Sequence, residues 1–306
     1  MKILIIGYSD IVKRRVLPSI ENIKSIKTFD VASKTGKIQK NKKLDNIFEN
    51  YDTALKKSDA NLVYISLPNS FHYSYSKKAL EMNKDVIVDK PAIVKLNQLQ
   101  ILEKLVNQNG LAISMSSVFN HHKCWNKFKL MSLKNNKVGT LVANFSIPKL
   151  HKNNIRMSKK LGGGAINDMG IYASNIGSLF WESSIKELSI NKTFDKQVDI
   201  GFNVMASYGD GKELIGSFGF NKIYKNQVEY HGSMFSTKYE RVFSPPPDLN
   251  TYIIKETNKT SKEYKVGYDD SFTNYLNYVT KKLKNEKQSL NKEFFKQNYE
   301  FEKFLK

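Results

Sequence analysis

The sequence predicts an α/β protein in which a doubly wound parallel sheet is followed by an α+β domain built on an antiparallel sheet. Three observations carry that expectation. Up to Asn120, short apolar strands alternate with amphipathic helices, the signature of βαβ units. Beyond Asn120 the rhythm changes to long β-rich runs joined by turns, which pair antiparallel. The chain has 306 residues, enough for two domains with cores of their own, placed at 1–120 and 121–306.

Residues 2–7 (KILIIG) read as a strand running into a turn. Asp10 is placed to cap a helix over 11–23, in which Ile11, Val12, Val16, Leu17 and Ile20 recur at helical spacing. Pro18 lies inside that segment and is expected to break or kink it. Residues 28–33 read as the second strand, 46–56 as a helix, and 61–67 (NLVYISL) as a third strand ending in Pro68-Asn69-Ser70, where Ser70 can cap a helix over 72–83. Asp85–Asp89 carries the β-branched run Val86, Ile87, Val88 and reads as a buried strand of a parallel sheet. Lys90 stands at its C-terminal end, the edge at which open α/β sheets bind ligands, and Pro91 keeps Lys90 extended. A helix over 96–109, stopped by Gly110, and a strand over 112–116 complete the first domain. The second is expected to have helices near 124–133 and 165–179, strands over 140–147, 185–193, 199–208, 213–220, 227–236 and 250–255, a hairpin turn at Gly209-Asp210-Gly211, and a helical tail from Ser271.

The formal net charge is +20. It is nearly all lysine, spread along the chain among asparagines, without arginine–aromatic interleaving or a nucleic-acid-binding motif. The expected partner is therefore a small anionic molecule, and neither nucleic acid nor membrane. No run approaches the roughly 18–20 apolar residues of a membrane span. The apolar run after Met1-Lys2 is too short for a signal peptide, and the single cysteine, Cys124, excludes a disulfide framework. A cytoplasmic protein is expected. His121, His122 and Cys124 do not make a metal site, since adjacent histidines cannot face one point on a regular element and no second ligand cluster follows. Trp125 and Trp181 read as packing residues.

Four stretches bear on chemistry. The first turn, Gly7-Tyr8-Ser9-Asp10-Ile11-Val12, keeps one glycine of the dinucleotide fingerprint G-x-G-x-x-G. Ser9 is small and its hydroxyl can bond phosphate, so Gly7, Ser9, Asp10 and Ile11 form a candidate cofactor turn; the alternative is an ordinary strand–turn–helix. Ser33-Lys34-Thr35 ends the second strand, where NAD-preferring folds carry an acid. A hydroxyl followed by lysine suits a 2′-phosphate and favours NADP over NAD, with Asp30 as the ribose acid if the strand ends earlier. Leu67, Pro68, Asn69 and His72 form either a loop over the cofactor or a plain loop. Gly162-Gly163-Gly164 precedes a helix and permits close approach of a ligand. On that helix Asp168 and Tyr172 are i,i+4 and share a face: a carboxylate beside a phenol, fit for an orienter and a general acid, or else an early-helix acid and a core aromatic.

Together these stretches resemble the Gfo/Idh/MocA family over nearly the whole chain. Its E-K-P motif appears as Asp89-Lys90-Pro91, and its G-G-G-A-L-x-D-x-G-x-H helix as Gly162–Tyr172, with tyrosine in place of histidine. The opening Gly7–Pro18 is similar to the G-x-A-D-I-A-x-R-R-x-L-P of nucleotide-sugar 3-ketoreductases of deoxysugar biosynthesis, which carry tyrosine and asparagine where Tyr172 and Asn175 stand here. The resemblance implies an N-terminal Rossmann domain and a C-terminal domain with an open, mostly antiparallel sheet. The open face is usually buried against another subunit, so a homodimer or homotetramer is expected. It implies NADPH as cofactor, with NAD as the alternative, and adds Asp89 and Lys90 to the cofactor contacts. It implies catalytic roles for Lys90, Tyr172 and Asp168, and substrate contacts from Arg156, Gly163, Asp168 and Tyr172. The implied reaction is reduction of a keto-sugar, a nucleotide-linked 3-keto-6-deoxyhexose: hydride passes to the carbonyl carbon, Tyr172 protonates the oxygen, Lys90 polarises it, and Asp168 orients substrate hydroxyls or holds Lys90. A cis Lys90–Pro91 bond, as in relatives, is also expected. The alternative reaction is NAD(P)-dependent oxidation of a cyclic polyol, an aldose or a nucleotide-linked amino sugar, against which tyrosine at 172 argues. From another class, a non-catalytic Rossmann-fold binding or sensor protein would account for the broken glycine fingerprint.

Overall fold

The structure, a computed structural model, describes residues 1–34, 37–134 and 138–306; Thr35 of the Ser33-Lys34-Thr35 stretch lies outside the described residues. In chain order it contains β1 (Lys2–Ile6), a π-type turn at Val12–Val16, α1 (Leu17–Asn22), β2 (Thr28–Ala32), β3 (Leu44–Phe48), α2 (Tyr51–Lys57), β4 (Leu62–Ile65), α3 (Asn69–Glu81), β5 (Asp85–Val88), α4 (Gln98–Asn109) and β6 (Ile113–Met115). There follow α5 (Lys123–Ser132), β7 (Gly139–Ser146), α6 (Ala165–Trp181), β8 (Glu187–Asp195), β9 (Val198–Gly209), β10 (Lys212–Gly219), β11 (Lys225–His231), β12 (Ser236–Glu240), β13 (Thr251–Glu256), β14 (Ser261–Gly267), α7 (Ser271–Asn285) and α8 (Lys287–Leu305).

Two compact units result: Met1–Ser116 with Phe272–Tyr299, and Ser117–Ser271 with Glu300–Lys306. The sequence places all of 121–306 in the second domain, whereas α7 and most of α8 belong to the first unit. The reason lies at its edge strand. Asn291 accepts a hydrogen bond from the Ile113 N–H at 2.8 Å and donates to the Leu111 carbonyl at 2.9 Å. Backbone groups flanking β6 are thus satisfied by a helix side chain, which covers the edge. Tyr275 meets Ser114 at 2.8 Å, and Lys287 pairs with Asp85 at 2.9 Å.

The first unit is a six-stranded sheet in the order β3-β2-β1-β4-β5-β6, with every pair parallel. Strands β4 and β5 are buried throughout, as strands covered on both faces must be. The strand order reverses between β1 and β4, the switch point at which such sheets leave a crevice for a ligand. Residues 46–56, expected as one helix, are the end of β3 and the start of α2. Strand β3 lies at the sheet edge and is exposed at its centre, so it has no apolar alternation to announce it. Asn50 then caps α2 by accepting from the Thr53 N–H at 3.0 Å. Pro18 lies inside a helical segment that runs on from the π-type turn at Val12–Val16 into α1; the segment is not broken but departs from α-geometry in the turn before the proline, the irregularity expected of a proline within a helix. Asp10 is not a cap: it pairs with Arg14 at 2.6 Å, and the Val12 N–H donates to Ser9 Oγ at 3.2 Å. Ser70 is not one either, since α3 starts after Pro68 with no side-chain cap.

The second unit is an eight-stranded sheet in the order β14-β13-β12-β11-β7-β10-β9-β8. Its pairs are antiparallel except β7 with β10. Helix α6 packs on β7, β9 and β10. The single strand expected over 227–236 is β11 and the start of β12, separated by a turn closed from the Gly232 N–H to the Phe235 carbonyl at 3.1 Å. Strand β14, unforeseen, is an exposed edge strand of sequence SKEYKVG. Among the described residues no helix is long and apolar enough to cross a membrane.

Candidate active site

The candidate cofactor residues of the first unit gather at the C-terminal edge of its parallel sheet, around the switch point. Gly7 ends β1 with φ +96, and a Cβ there would run into the Ser66 carbonyl oxygen. Glycine is thus required by the close approach of the turn after β1 to the end of β4. Ser9, besides capping, lies 2.7 Å from the Ser66 hydroxyl. Ile11 opens the π-type turn. Ser33 leaves β2 with its N–H bonded to the Phe48 carbonyl at 2.9 Å. The exposed Lys34 holds its ammonium 5.0 Å from the centre of the Tyr51 ring. Asp30 is not a ribose acid. It is fully buried and accepts from Ser58 at 2.6 Å and from the Asn46 backbone and side chain at 3.0 Å, with Lys2 at 3.1 Å. The turn residues, the half-buried Leu67-Pro68-Asn69 loop and the Ser33-Lys34 corner fit a dinucleotide: a tight turn, hydroxyl donors and a cation stand at the crevice where such a ligand binds.

Asp89 sits just beyond β5 and is met by three hydroxyls. Tyr64 donates to Oδ1 at 2.7 Å, Ser116 to Oδ1 at 2.7 Å and Ser66 to Oδ2 at 2.5 Å. Lys90 follows, half-buried, through a cis bond to Pro91. Burial and the neighbouring Asp89 push the Tyr64 phenol well up, so it stays a donor. His72, expected to touch the cofactor, is buried instead, with Nδ1 2.7 Å from the Pro91 carbonyl and Nε2 2.7 Å from the Leu67 carbonyl. Neither ring nitrogen is left for a ligand.

In the second unit Gly162, Gly163 and Gly164 form the turn into α6. A Cβ on Gly163 would strike the Arg156 carbonyl, and one on Gly164, at φ +111, would strike the Asp199 carboxylate. Gly163 is thus spent on packing the turn against Arg156. Asp199 on β9 accepts from the Ile166 N–H at 2.6 Å and so caps α6 from across the unit, while burial pushes its pKa up. Asp168 and Tyr172 lie one turn apart on α6. Arg156 donates from Nε to Asp168 Oδ2 at 2.8 Å, and this carboxylate raises the pKa of the guanidinium further. Tyr172 is 8% exposed and is surrounded by rings: Phe243 at 4.9 Å, Phe145 at 5.7 Å and Phe119 at 5.9 Å between centroids.

Sequence reasoning missed Tyr64, Ser66, Ser116, Asp199 and the three phenylalanines. Only Tyr64 carries a visible signal, as the one hydroxyl inside an aliphatic strand. Among the described residues no group of three histidine, cysteine or carboxylate side chains is arranged to hold a metal.

Residues 1–117 match the Gfo/Idh/MocA model, described as an oxidoreductase family with an NAD-binding Rossmann fold. Over 282 residues the chain is 26% identical to a dTDP-3,4-didehydro-2,6-dideoxy-α-D-glucose 3-reductase of Actinomadura kijaniata, covering 89% of this chain and 84% of that one. The enzyme of the same description from Streptomyces violaceoruber is 28% identical over 256 residues, covering 80% and 74%. Among solved structures, a 3-ketoreductase from Actinomadura kijaniata in complex with NADP and TDP-benzene superposes with a TM-score of 0.86 at 23% identity, over 97% of this chain and 94% of that one.

Proposed function

We propose that this chain, an oxidoreductase of the Gfo/Idh/MocA type, reduces a nucleotide-linked 3-keto-6-deoxyhexose at the expense of NADPH. The observation that carries this reading is Tyr172: a phenol in an aromatic setting, one helical turn from a carboxylate held by Arg156. The likeness to enzymes described as dTDP-sugar 3-reductases, and to a 3-ketoreductase solved with NADP, supports it.

When bound, the nicotinamide supplies the hydride. The residues of the chain bind, orient and move the proton. Gly7, Ser9 and the Leu67–Asn69 loop receive the dinucleotide, and the Lys34 ammonium takes the 2′-phosphate that distinguishes NADPH from NADH. Arg156, fixed by Asp168, presents the rest of its fork to the substrate. As the carbonyl carbon is reduced, its oxygen gains negative charge. Tyr172 Oη donates its proton there, and the Lys90 ammonium stabilises both the alkoxide and the phenolate left behind. Asp89 acts one step back, holding the strand end that carries Lys90. Asp168 acts through Arg156, which it holds.

The test is NADPH oxidation against a panel of nucleotide-linked keto-sugars, with free sugars and the oxidative direction run alongside. Turnover confined to the nucleotide-linked 3-keto substrates supports the reading. Faster oxidation of a free polyol or aldose would replace it.

A further inference from the structure

His72 is 1% exposed and bonded at both ends of its ring. Nδ1 lies 2.7 Å from the carbonyl oxygen of Pro91, and Nε2 2.7 Å from that of Leu67. A carbonyl oxygen only accepts, and a neutral imidazole has a single N–H. Both contacts are hydrogen bonds only when both nitrogens carry protons. A neutral ring would set a nitrogen lone pair against a carbonyl lone pair at bonding distance, away from water. The two carbonyls belong to different loops, one after β4 and one after β5. The first loop contains Pro68 and leads into Asn69 at the start of α3; the second contains Lys90.

We propose that His72 is a buried imidazolium that ties the Leu67 loop to Pro91 and so positions Lys90. It is a positioning residue, and its second proton completes the tie. Burial, the largest influence, lowers the pKa of the ring and Lys90 adds to that, while Asp89 and the two carbonyls act in the opposite sense; the case for the cation is the geometry, two acceptor-only oxygens at bonding distance from the two ring nitrogens. The carboxylate beside the ring is itself fixed by Tyr64, Ser66 and Ser116, so the compensating charge stays in place. Without its second proton His72 can hold one loop only, and Lys90 loses its fixed station. This inference rests on the reading that Lys90 acts on the substrate; the charge on the ring does not.

The experiment is a pH titration of the full chain labelled with 15N in its histidines, read at the ring nitrogens, with His72 identified by the signals lost in His72→Gln. At pH 7 His72 is expected to carry two protonated nitrogens. The turnover number is expected to fall at the pH where His72 loses one, while the KM for NADPH changes little. His72→Gln should lower turnover about tenfold or more and abolish that pH step, which a purely structural residue would not do. Neutral, singly protonated nitrogens on His72 at pH 7 would overturn the proposal, as would a step in turnover that survives in His72→Gln. If no nucleotide-linked keto-sugar is turned over, the functional reading fails, and the nitrogen titration still decides the charge.

Discussion

Tyr64 donates its phenolic hydroxyl to Oδ1 of Asp89 across 2.7 Å. The tyrosine stands inside β4 and the acid just beyond β5, two strands paired in parallel from Leu62↔Asp85 to Ile65↔Val88. The parallel register therefore carries a long side chain along the sheet to its C-terminal edge. Asp89 is one methylene shorter than the glutamate of the family motif, and a tyrosine hydroxyl reaching up from the sheet is suited to meet it. Ser66 joins the same acid and also meets Ser9, so the first turn and the strand end before Lys90 share one hydrogen-bonded network.

That network predicts the behaviour of Tyr64→Phe. A hydrogen bond to a charged group contributes about 1.5–3 kcal/mol, so the variant should lose that much stability in urea denaturation. Asp89→Glu, conservative by charge, should lose as much or more, because its added methylene displaces three hydroxyl contacts at once. Chemical denaturation of both variants against the parent checks this.

Cofactor choice is predicted to turn on Lys34. Replacing it by glutamate removes the cation proposed to meet the 2′-phosphate and sets an acid in its place. NADPH should weaken by about tenfold or more, from a charge-assisted contact of about 1.5–3 kcal/mol, and NADH should gain. Fluorescence titration with both nucleotides reads the ratio. An unchanged ratio would move the selectivity elsewhere.

The second unit's sheet exposes Met205 and Ile215, at 62% and 44%, as cross-strand partners on β9 and β10. Apolar neighbours of this kind on an open sheet face are expected to be covered by a second copy of the chain. Light scattering should report a dimer or tetramer for the parent and a smaller species for Met205→Lys with Ile215→Lys.

Burial pushes the His121 ring down to about 4. The unfolded chain, with an ordinary histidine near 6.5, takes up the proton first. Stability is therefore full above about pH 6.5 and is lost as the pH falls toward about 4, by at most about 1.4 kcal/mol per pH unit. Denaturation midpoints at pH 7 and pH 4.5 should separate more in the parent than in His121→Gln.

How much of this was legible beforehand depends on burial and on sequence distance. Strand β5 announces itself because both faces are covered and every residue from Val86 up to Asp89 is apolar and β-branched. The glycine triplet and the i,i+4 pair Asp168 and Tyr172 are local, so they survive reading in one dimension. Strands β3 and β14 do not, because exposed edge strands need no apolar alternation. The donors to Asp89 lie 23 to 27 residues away in the chain and meet it only through parallel pairing. Resemblance marks Arg156 as a substrate residue; its anchoring by Asp168 depends on the turn through Gly163. The tail escapes sequence reading because amphipathic helices do not declare which sheet they cover, and the deciding contact is a single asparagine of α8, Asn291, against the edge strand β6.

The central claim is that Tyr172 gives the proton that completes reduction, with Lys90 assisting. The most direct measurement is single-turnover oxidation of NADPH by Tyr172→Phe with a dTDP-linked 3-keto-6-deoxy sugar, with the NADPH Kd measured on the same preparation. The account predicts an unchanged Kd and a rate lower by about 10²–10⁴, with a comparable loss in Lys90→Ala. A Tyr172→Phe enzyme that reduces the sugar at close to the parent rate would contradict it.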